Sequence, residues 1–392
     1  MMKQGSLHNL STEIDQAYQL FYETDDFYLA EAYYDNIQRL NHIYEAASGD
    51  YYLNEGMIDY LDNSIKGIEV RELGELQDEI AIEEYQKQSK FTSKLFHEMI
   101  TSISESITEK ESSNIIYLSK LSAKEKYKII TDFYTKTENK KGFSLFHTLN
   151  FYEKLYFGNE KKTCIVFPSY ENQHSSVMIG KNKKALTEIA YLIYGIGFLE
   201  SGYDLMKDNE FAELYQYNKY NLYKRVIPLT RFKQFINYMQ EENLHPALAT
   251  SMNKRLTTQG HNAFCKARNG AYISANTLIH MKQGDLSEFE YQRINEMNQK
   301  IYDTNQYTKE YYQNFDFISV LQNATAELLS QTIIYHDQTK KRSIQESFHV
   351  LESLPKETSL KETCEKLDVN VNENIKVMKQ ILKKPKIKRM LK

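Results

Sequence analysis

The chain has 392 residues and a formal net charge of −4, with 41% hydrophobic and 26% charged residues. These values are near globular averages, so an intrinsically disordered chain is not expected. With only five prolines and 14 glycines, long helices are favoured, and the length predicts two or three domains. The three cysteines form no CxxC pair, so we expect neither a zinc site nor a disulfide framework. The 31 tyrosines are expected mostly at half-buried positions.

The N-terminal part is predicted to be helical and acidic. Hydrophobic periodicity and capping residues predict a helix from Thr12, a long helix over 73–106 and a helix capped by Ser122. Residues 1–90 contain 19 acidic against 6 basic residues, a net charge of −13. We therefore predict an acidic N-terminal helical domain at 1–160, in which 1–90 could bind a basic protein partner.

One segment departs from the helical pattern. Residues 163–167 are β-branched and aromatic, and 176–179 form a second apolar run that Gly180 closes. This composition predicts a short β-hairpin near 163–180. The predicted fold is thus mostly α, with two or three packed helical domains and at most this hairpin.

The remaining helices are assigned to a central helical domain at 161–337 and a basic C-terminal helical segment at 338–392. The C-terminal segment carries a net charge of +7. The N-terminus shows no signal peptide, and the most apolar stretch, 189–199, is too short to span a bilayer. We therefore expect a cytoplasmic protein without a membrane segment. The predicted helices after the hairpin cover 183–199, 210–225, 230–242, 286–302 and 316–335, with two more helices after residue 340.

The strongest local charge feature is a basic window at 219–282. It contains ten Lys and Arg residues, only two acidic residues, and no acid from 243 to 284. Such a surface attracts anions. We therefore predict a binding or regulatory protein that contacts nucleic acid or another polyanion through this window and the C-terminal tail. The predicted contact residues are Lys254, Arg255, Lys266, Arg268, Lys282, Arg225 and Arg231, with Lys384, Lys386, Lys388 and Arg389 in the tail.

Within this window, Arg255 and His261 are separated by five residues. The pair resembles the motif of HEPN-domain ribonucleases, all-helical enzymes in which an Arg and a His act on the scissile phosphate without metal. An Arg fork can bind a phosphate, and a His can move a proton near neutral pH. The resemblance implies a metal-independent ribonuclease with Arg255 and His261 as catalytic residues. A solvated basic helix end is the alternative.

Residues 360–375 resemble a helix-turn-helix, which would direct Asn372, Asn374 and Lys376 towards a DNA groove. An ordinary helical hairpin with a solvated basic tail is the alternative. A further functional alternative is a protein–protein interaction scaffold with an acidic N-terminal helical face. Because HExxH, GxSxG, GxGxxG and P-loop patterns do not occur in the sequence, neither a metal nor a cofactor is expected.

Overall fold

A computed structural model describes the chain at 5–24, 27–48, 94–103, 121–158, 164–167, 175–180, 185–201, 219–271, 287–293, 317–355 and 358–382, with Met2, His280 and Glu296. Most of these residues are helical, which confirms the predicted fold class. The helix predicted over 73–106 is described only at 94–103, which is helical. Residues 288–293 are also helical, within the helix predicted at 286–302. The numbered helices are α1 (Leu7–Glu23), α2 (Phe27–Ser48), α3 (Ala123–Lys136), α4 (Lys140–Phe151), α5 (Ala185–Glu200), α6 (Lys219–Glu241), α7 (Pro246–Ala271), α8 (Phe317–Gln338), α9 (Ile344–Ser353), α10 (Leu360–Lys366) and α11 (Val371–Leu382).

The chain divides into two compact units, each built from separate stretches of sequence. Unit one comprises 1–76, 116–214 and 227–238, and unit two comprises 77–115, 215–226 and 239–392. The division into three consecutive domains stays a prediction. In the part of the chain that the structure describes, no helix is both long and apolar enough to cross a membrane.

Unit one contains a small mixed sheet. The strands are β1 (Leu155–Gly158), β2 (Cys164–Phe167) and β3 (Ser176–Gly180), in the order β1-β3-β2. β3 pairs antiparallel with β2, as the predicted hairpin requires, and also parallel with β1. β1 was not predicted, because its four residues carry too little alternation to identify a strand.

Helices α1 and α2 pack on this sheet through an apolar cluster. Leu10 and Ile14 of α1 and Ile37 of α2 are completely buried in it, with Tyr156 and Met178 from the strands. The helix predicted from Thr12 begins earlier, at Leu7, because Ser6 caps it by accepting a hydrogen bond from the main-chain N–H of Asn9.

Helix α6 contradicts the prediction of separate helices at 210–225 and 230–242, because it continues through Pro228. A proline inside a helix costs about 3 kcal/mol, and tertiary packing offsets this cost. Gly197 of α5 lies directly against Pro228: a Cβ added at Gly197 would lie 2.7 Å from the Pro228 Cα. Beyond the proline, α6 buries Phe235 in an edge-to-face contact with Phe133 of α3.

Unit two is organised around α7 and α8, which pack side by side. Helix α8 is buried on nearly all sides and carries a long row of buried polar side chains. Several of its hydroxyl groups bond back to the helix, as Thr325 does to the Leu321 carbonyl and Thr332 to the Leu328 carbonyl. The C-terminal helices α10 and α11 are separated at 367–370, where Asp368 adopts a left-handed conformation with φ 54°.

Candidate functional site

The predicted ribonuclease pair does not converge in the structure. Arg255 and His261 both lie on α7, and a spacing of six residues places their side chains about 120° apart around a helix. Arg255 is exposed, whereas His261 is only 7% exposed. An arginine in solvent and a histidine in the core cannot contact the same phosphate, so this catalytic assignment is wrong.

Three arginines of the basic window contact other side chains of the protein. Arg231 is 1% exposed and forms an ion pair with Glu200, and Arg268 is 2% exposed. Arg225 donates hydrogen bonds to Gln322 Oε1 at 3.1 Å and Asn323 Oδ1 at 2.6 Å. Arg231 and Arg268 are therefore not accessible to a polyanion, and the half-buried Arg225 is held by two neutral amides.

The other predicted contact residues are only partly described. Arg255 and Lys266 are exposed on α7, and Lys254 is half-buried. Lys282, Lys384, Lys386, Lys388 and Arg389 lie outside the described residues, as does most of the acidic segment after residue 48. The basic protein partner of residues 1–90 therefore stays a prediction.

One residue of the predicted recognition helix is not accessible, whereas Asn372 and Lys376 are exposed. Asn374 is 1% exposed, and its side-chain amide donates to Thr332 Oγ1 of α8 at 2.9 Å and to the Asn370 carbonyl at 3.0 Å. A groove-reading side chain must be accessible, whereas Asn374 joins α11 to the core. The segment at 360–382 is a helical hairpin, as the alternative interpretation stated.

A chemically distinct pair lies on the buried side of α7. Cys265 follows His261 by four residues, so the two side chains share one face of the helix. The Cys265 Sγ lies 3.8 Å from the His261 Nδ1, at the long end of the range for a hydrogen bond to sulfur. The histidine ring also hydrogen-bonds to the main chain of Ile100 and to the side chain of Asn262. Because Nδ1 faces the sulfur, we assign the ring proton to Nε2, which makes Nδ1 the acceptor of the thiol proton.

The helical residues 94–103 hold this pair in place. Phe96 stacks on Phe264, with ring centroids 5.3 Å apart, and both rings are completely buried. Arg268 approaches His97, with 3.5 Å between Nη1 of the arginine and Nδ1 of the histidine. The pair therefore lies next to the buried ring of Phe264, and the positive charge of Arg268 lies about one helical turn beyond Cys265.

Burial determines the protonation state of the pair. It lowers the pKa of His261, and Arg268 adds to this effect, although the hydrogen bond to Ile100 opposes it. Burial raises the pKa of the Cys265 thiol, while the positive charge of Arg268 lowers it in part. Both groups are therefore neutral at pH 7, so that the resting state is a thiol hydrogen-bonded to an imidazole.

Other polar groups in the core serve packing. In unit one, Asn139 and Arg231 both donate to Glu200, and burial beside Glu200 raises the pKa of Tyr134 well above its usual range. Among the described residues, no group of three or more His, Cys, Asp or Glu side chains is arranged to hold a metal ion.

Helix α8 has one buried carboxylate beside α7. Glu327 is 5% exposed and packs over Gly260, where an added Cβ would lie 2.4 Å from the Glu327 Cγ. A zinc-binding helix of the HExxH type needs histidines one residue before and three residues after such a glutamate. Those positions are Ala326 and Ser330, so α8 does not supply this kind of site.

The sequence signal for the Cys265 and His261 pair was available. A spacing of four residues on a predicted helix already places two side chains together. The basic window paired His261 with Arg255 as a candidate phosphate site, and Cys265 was not considered as its partner. The contact with Ile100 could not be inferred, since it joins segments more than 150 residues apart.

Comparisons with known proteins add little to this geometry. No family model matches the chain, and neither does any curated protein. One solved structure that resembles it is described as a "putative oligoendopeptidase F" from Bacillus anthracis str. Ames, with 11% sequence identity and a TM-score of 0.43. The match covers 90% of this chain and 63% of that structure. A similarity this weak indicates no function for the chain.

The function predicted from the charge pattern must therefore be corrected. The geometry contradicts several of the residue assignments on which both interpretations depended. Arg231 and Arg268 are buried, and Arg255 and His261 point to different environments. The nucleic-acid-binding prediction and its ribonuclease alternative are wrong, and the scaffold alternative has no support.

Proposed function

We propose that this protein acts through Cys265, whose sulfur attacks the carbonyl carbon of an acyl substrate while His261 accepts the thiol proton. The observation that carries this proposal is the 3.8 Å contact between Cys265 Sγ and His261 Nδ1. A nucleophile beside a base that a third group orients is the usual arrangement for covalent catalysis. Here the third group is the main chain of Ile100, which hydrogen-bonds to the imidazole ring.

The proposed step needs no further reactant. As the Cys265 sulfur forms a bond to the carbonyl carbon, its proton moves to His261 Nδ1 and the carbonyl π electrons move to oxygen. When the tetrahedral intermediate collapses, the leaving group departs with the proton from His261, and a thioester remains on Cys265. Water can then hydrolyse this thioester, which returns the free thiol.

The neutral resting state makes the pair a slow nucleophile at neutral pH. Since the thiolate is the reactive form of cysteine, a raised pKa of Cys265 lowers the fraction that can react. Because neutral His261 is the base, the rate through this pair is expected to rise as pH increases through the lowered pKa of His261 and then to stay nearly constant until pH approaches the raised pKa of the thiol. The nearby charge of Arg268 stabilises the negative charge that develops on sulfur.

Acyl transfer fits the cysteine content better than thiol–disulfide exchange. The cysteines are free, and Cys164 and Cys364 are not paired with Cys265. Disulfide exchange within the chain would need a second, resolving thiol beside the first. Free thiols are typical of reducing compartments, and we accordingly place the protein in the cytoplasm as part of this proposal.

The test is acylation of the purified full chain by an activated ester, p-nitrophenyl acetate. Mass spectrometry would locate the acetyl group, and p-nitrophenolate release would give the rate between pH 6.5 and 9. We expect an acetyl thioester on Cys265 in the wild-type protein, none at position 265 in Cys265→Ser, and slower acylation in His261→Gln. Lys266→Ala is the matched control, because Lys266 is exposed on the same helix and should leave the rate unchanged.

Two results would refute the proposal. One is acylation of Cys265 at the same rate as the buried Cys364, which has no imidazole contact among the described residues. The other is an unchanged acylation rate in His261→Gln. Circular dichroism of each variant separates a chemical effect from loss of the fold.

A further inference from the structure

A second histidine, outside the Cys265 site, lies where the C-terminal hairpin packs on α8. His336 is in the last turn of α8, and its side chain is 1% exposed. Its Nε2 atom is completely buried and has no hydrogen-bond partner among the described residues. A buried imidazole that no acceptor stabilises is tolerated as a neutral group, whereas its charged form would be costly.

The contacts around His336 join α8 to the hairpin of α10 and α11. Lys341, just after α8, forms an ion pair with Asp368 in the turn between the two helices. Arg342 donates to the Lys366 carbonyl at 3.2 Å, and Asn374 of α11 donates to Thr332 of α8 at 2.9 Å. These contacts surround the end of α8 that carries His336.

A second polar atom in this interface is also without a partner. The Asn374 Oδ1 is buried and accepts no hydrogen bond among the described residues. Asn374 contacts Thr332, which precedes His336 by one helical turn on α8. The interface between α8 and α11 thus contains two incompletely satisfied polar side chains and is easier to open than an apolar interface.

Charged groups of both signs face His336. Lys341 and Arg342 oppose its protonation, whereas Asp368 and Glu373 favour it. Burial is the largest effect and lowers the pKa of His336 below its ordinary value. The Lys341–Asp368 ion pair lowers the pKa of Asp368 and raises that of Lys341. These two groups therefore keep their charges between pH 5.5 and pH 7.5, where a histidine titrates.

We propose that His336 is a pH-sensitive latch, which allows α10 and α11 to pack on α8 while it is neutral and loosens that packing when it is protonated. Proton linkage gives the direction in which the stability of this packing changes with pH. A histidine whose folded pKa lies below its unfolded pKa contributes stability that is complete above the unfolded value and decreases as pH falls below it. The hairpin is therefore expected to open on mild acidification.

Cys364 is a built-in reporter of this opening. It lies on α10, is 5% exposed, and burial raises the pKa of its thiol to about 12. Its reaction with 4,4′-dithiodipyridine in the folded full chain would be measured at pH 7.5 and pH 5.5, each divided by the rate in denaturant at the same pH. Mass spectrometry would assign the modified cysteine, and Cys164 in unit one is the internal control.

We expect the normalised labelling of Cys364 to rise at pH 5.5, by at most about tenfold for each pH unit below the unfolded histidine pKa. Labelling of Cys164 should not change. The rise should disappear in His336→Gln and His336→Leu, which cannot be protonated. It should persist in His349→Gln, because His349 is exposed on α9.

Equal normalised labelling of wild-type Cys364 at both pH values would overturn the proposal without any variant. A pH-dependent rise that persists in either His336 variant would also overturn it, since another group would then be responsible. The acylation of Cys265 does not enter this measurement, so the two proposals are tested separately.

Discussion

Arg231 should be essential for stability, although the sequence suggested a surface role for it. Its side chain is 1% exposed, and the partner carboxylate of Glu200 is 5% exposed. The arginine donates to Glu200 through Nε at 2.9 Å and also through Nη2. Removal of the arginine would leave Glu200 with Asn139 as its remaining donor among the described residues, at 3.0 Å.

The expected cost follows from this arrangement. Removal of one partner of a buried ion pair leaves an uncompensated charge and costs about 3–5 kcal/mol. Arg231→Met should therefore reduce the free energy of unfolding by about that amount. Replacement of both partners, in Arg231→Met with Glu200→Leu, should cost much less than the sum of the two single changes, because no buried charge remains.

Urea unfolding followed by circular dichroism would measure these changes, with each variant's m-value compared with that of the wild type. The control is the exposed ion pair of Lys128 and Asp132 on α3, whose side chains are 79% and 53% exposed. Lys128→Met should change the free energy of unfolding by less than about 1 kcal/mol.

The reasoning would be refuted if Arg231→Met and Lys128→Met destabilised the protein equally. It would also be refuted if the cost of the double variant equalled the sum of the two single costs. Either result would mean that the ion pair of Arg231 and Glu200 is exposed to solvent.

Three further changes test the packing and capping described above. Gly197→Ala should destabilise unit one by about 1–3 kcal/mol, because the new Cβ would lie 2.7 Å from the Pro228 Cα, and thermal unfolding would measure this. Ser122→Ala should cost about 1 kcal/mol through loss of the N-cap. The hydrogen bonds from Ser122 lower the pKa of Glu125. The stability that this capping box contributes should therefore be present above the pKa of an unfolded glutamate and be lost as pH falls through the lower pKa of the folded protein. Urea unfolding at several pH values in that acid range would measure this loss. Phe264→Ala should cost about 3–5 kcal/mol, because the ring is completely buried, and an unchanged unfolding midpoint would contradict its place in the core.

Local features of the fold could be predicted where neighbouring residues determine them. Ser122 caps α3 as predicted, because the capping box with Glu125 needs only residues three positions apart. The hairpin strands at 164–167 and 176–180 were predicted from β-branched and apolar composition. By contrast, a helix boundary was predicted near Pro228, but α6 continues through this proline because tertiary packing offsets its cost.

The charge pattern was the least reliable guide to function. A run of basic residues predicts a basic surface only if the side chains reach solvent, and sequence does not state which carboxylate or amide lies opposite each of them. Arg231 finds Glu200, and Arg225 finds Gln322 and Asn323, across separations of 31 to 98 residues. The net charge counted along residues 219–282 therefore overestimated the positive charge that is available to a ligand.

The sequence by itself determined that this chain is mostly helical, where several helices begin, and that a short β segment interrupts them, because these properties depend on local periodicity and capping. Only the tertiary structure decided that β1 completes the sheet, that α6 continues through Pro228, and that His261 faces Cys265 and Ile100 instead of a phosphate. The physical reason is the same in each case. Burial and long-range partners set the accessibility and protonation of a side chain, and both arise only when distant segments pack together.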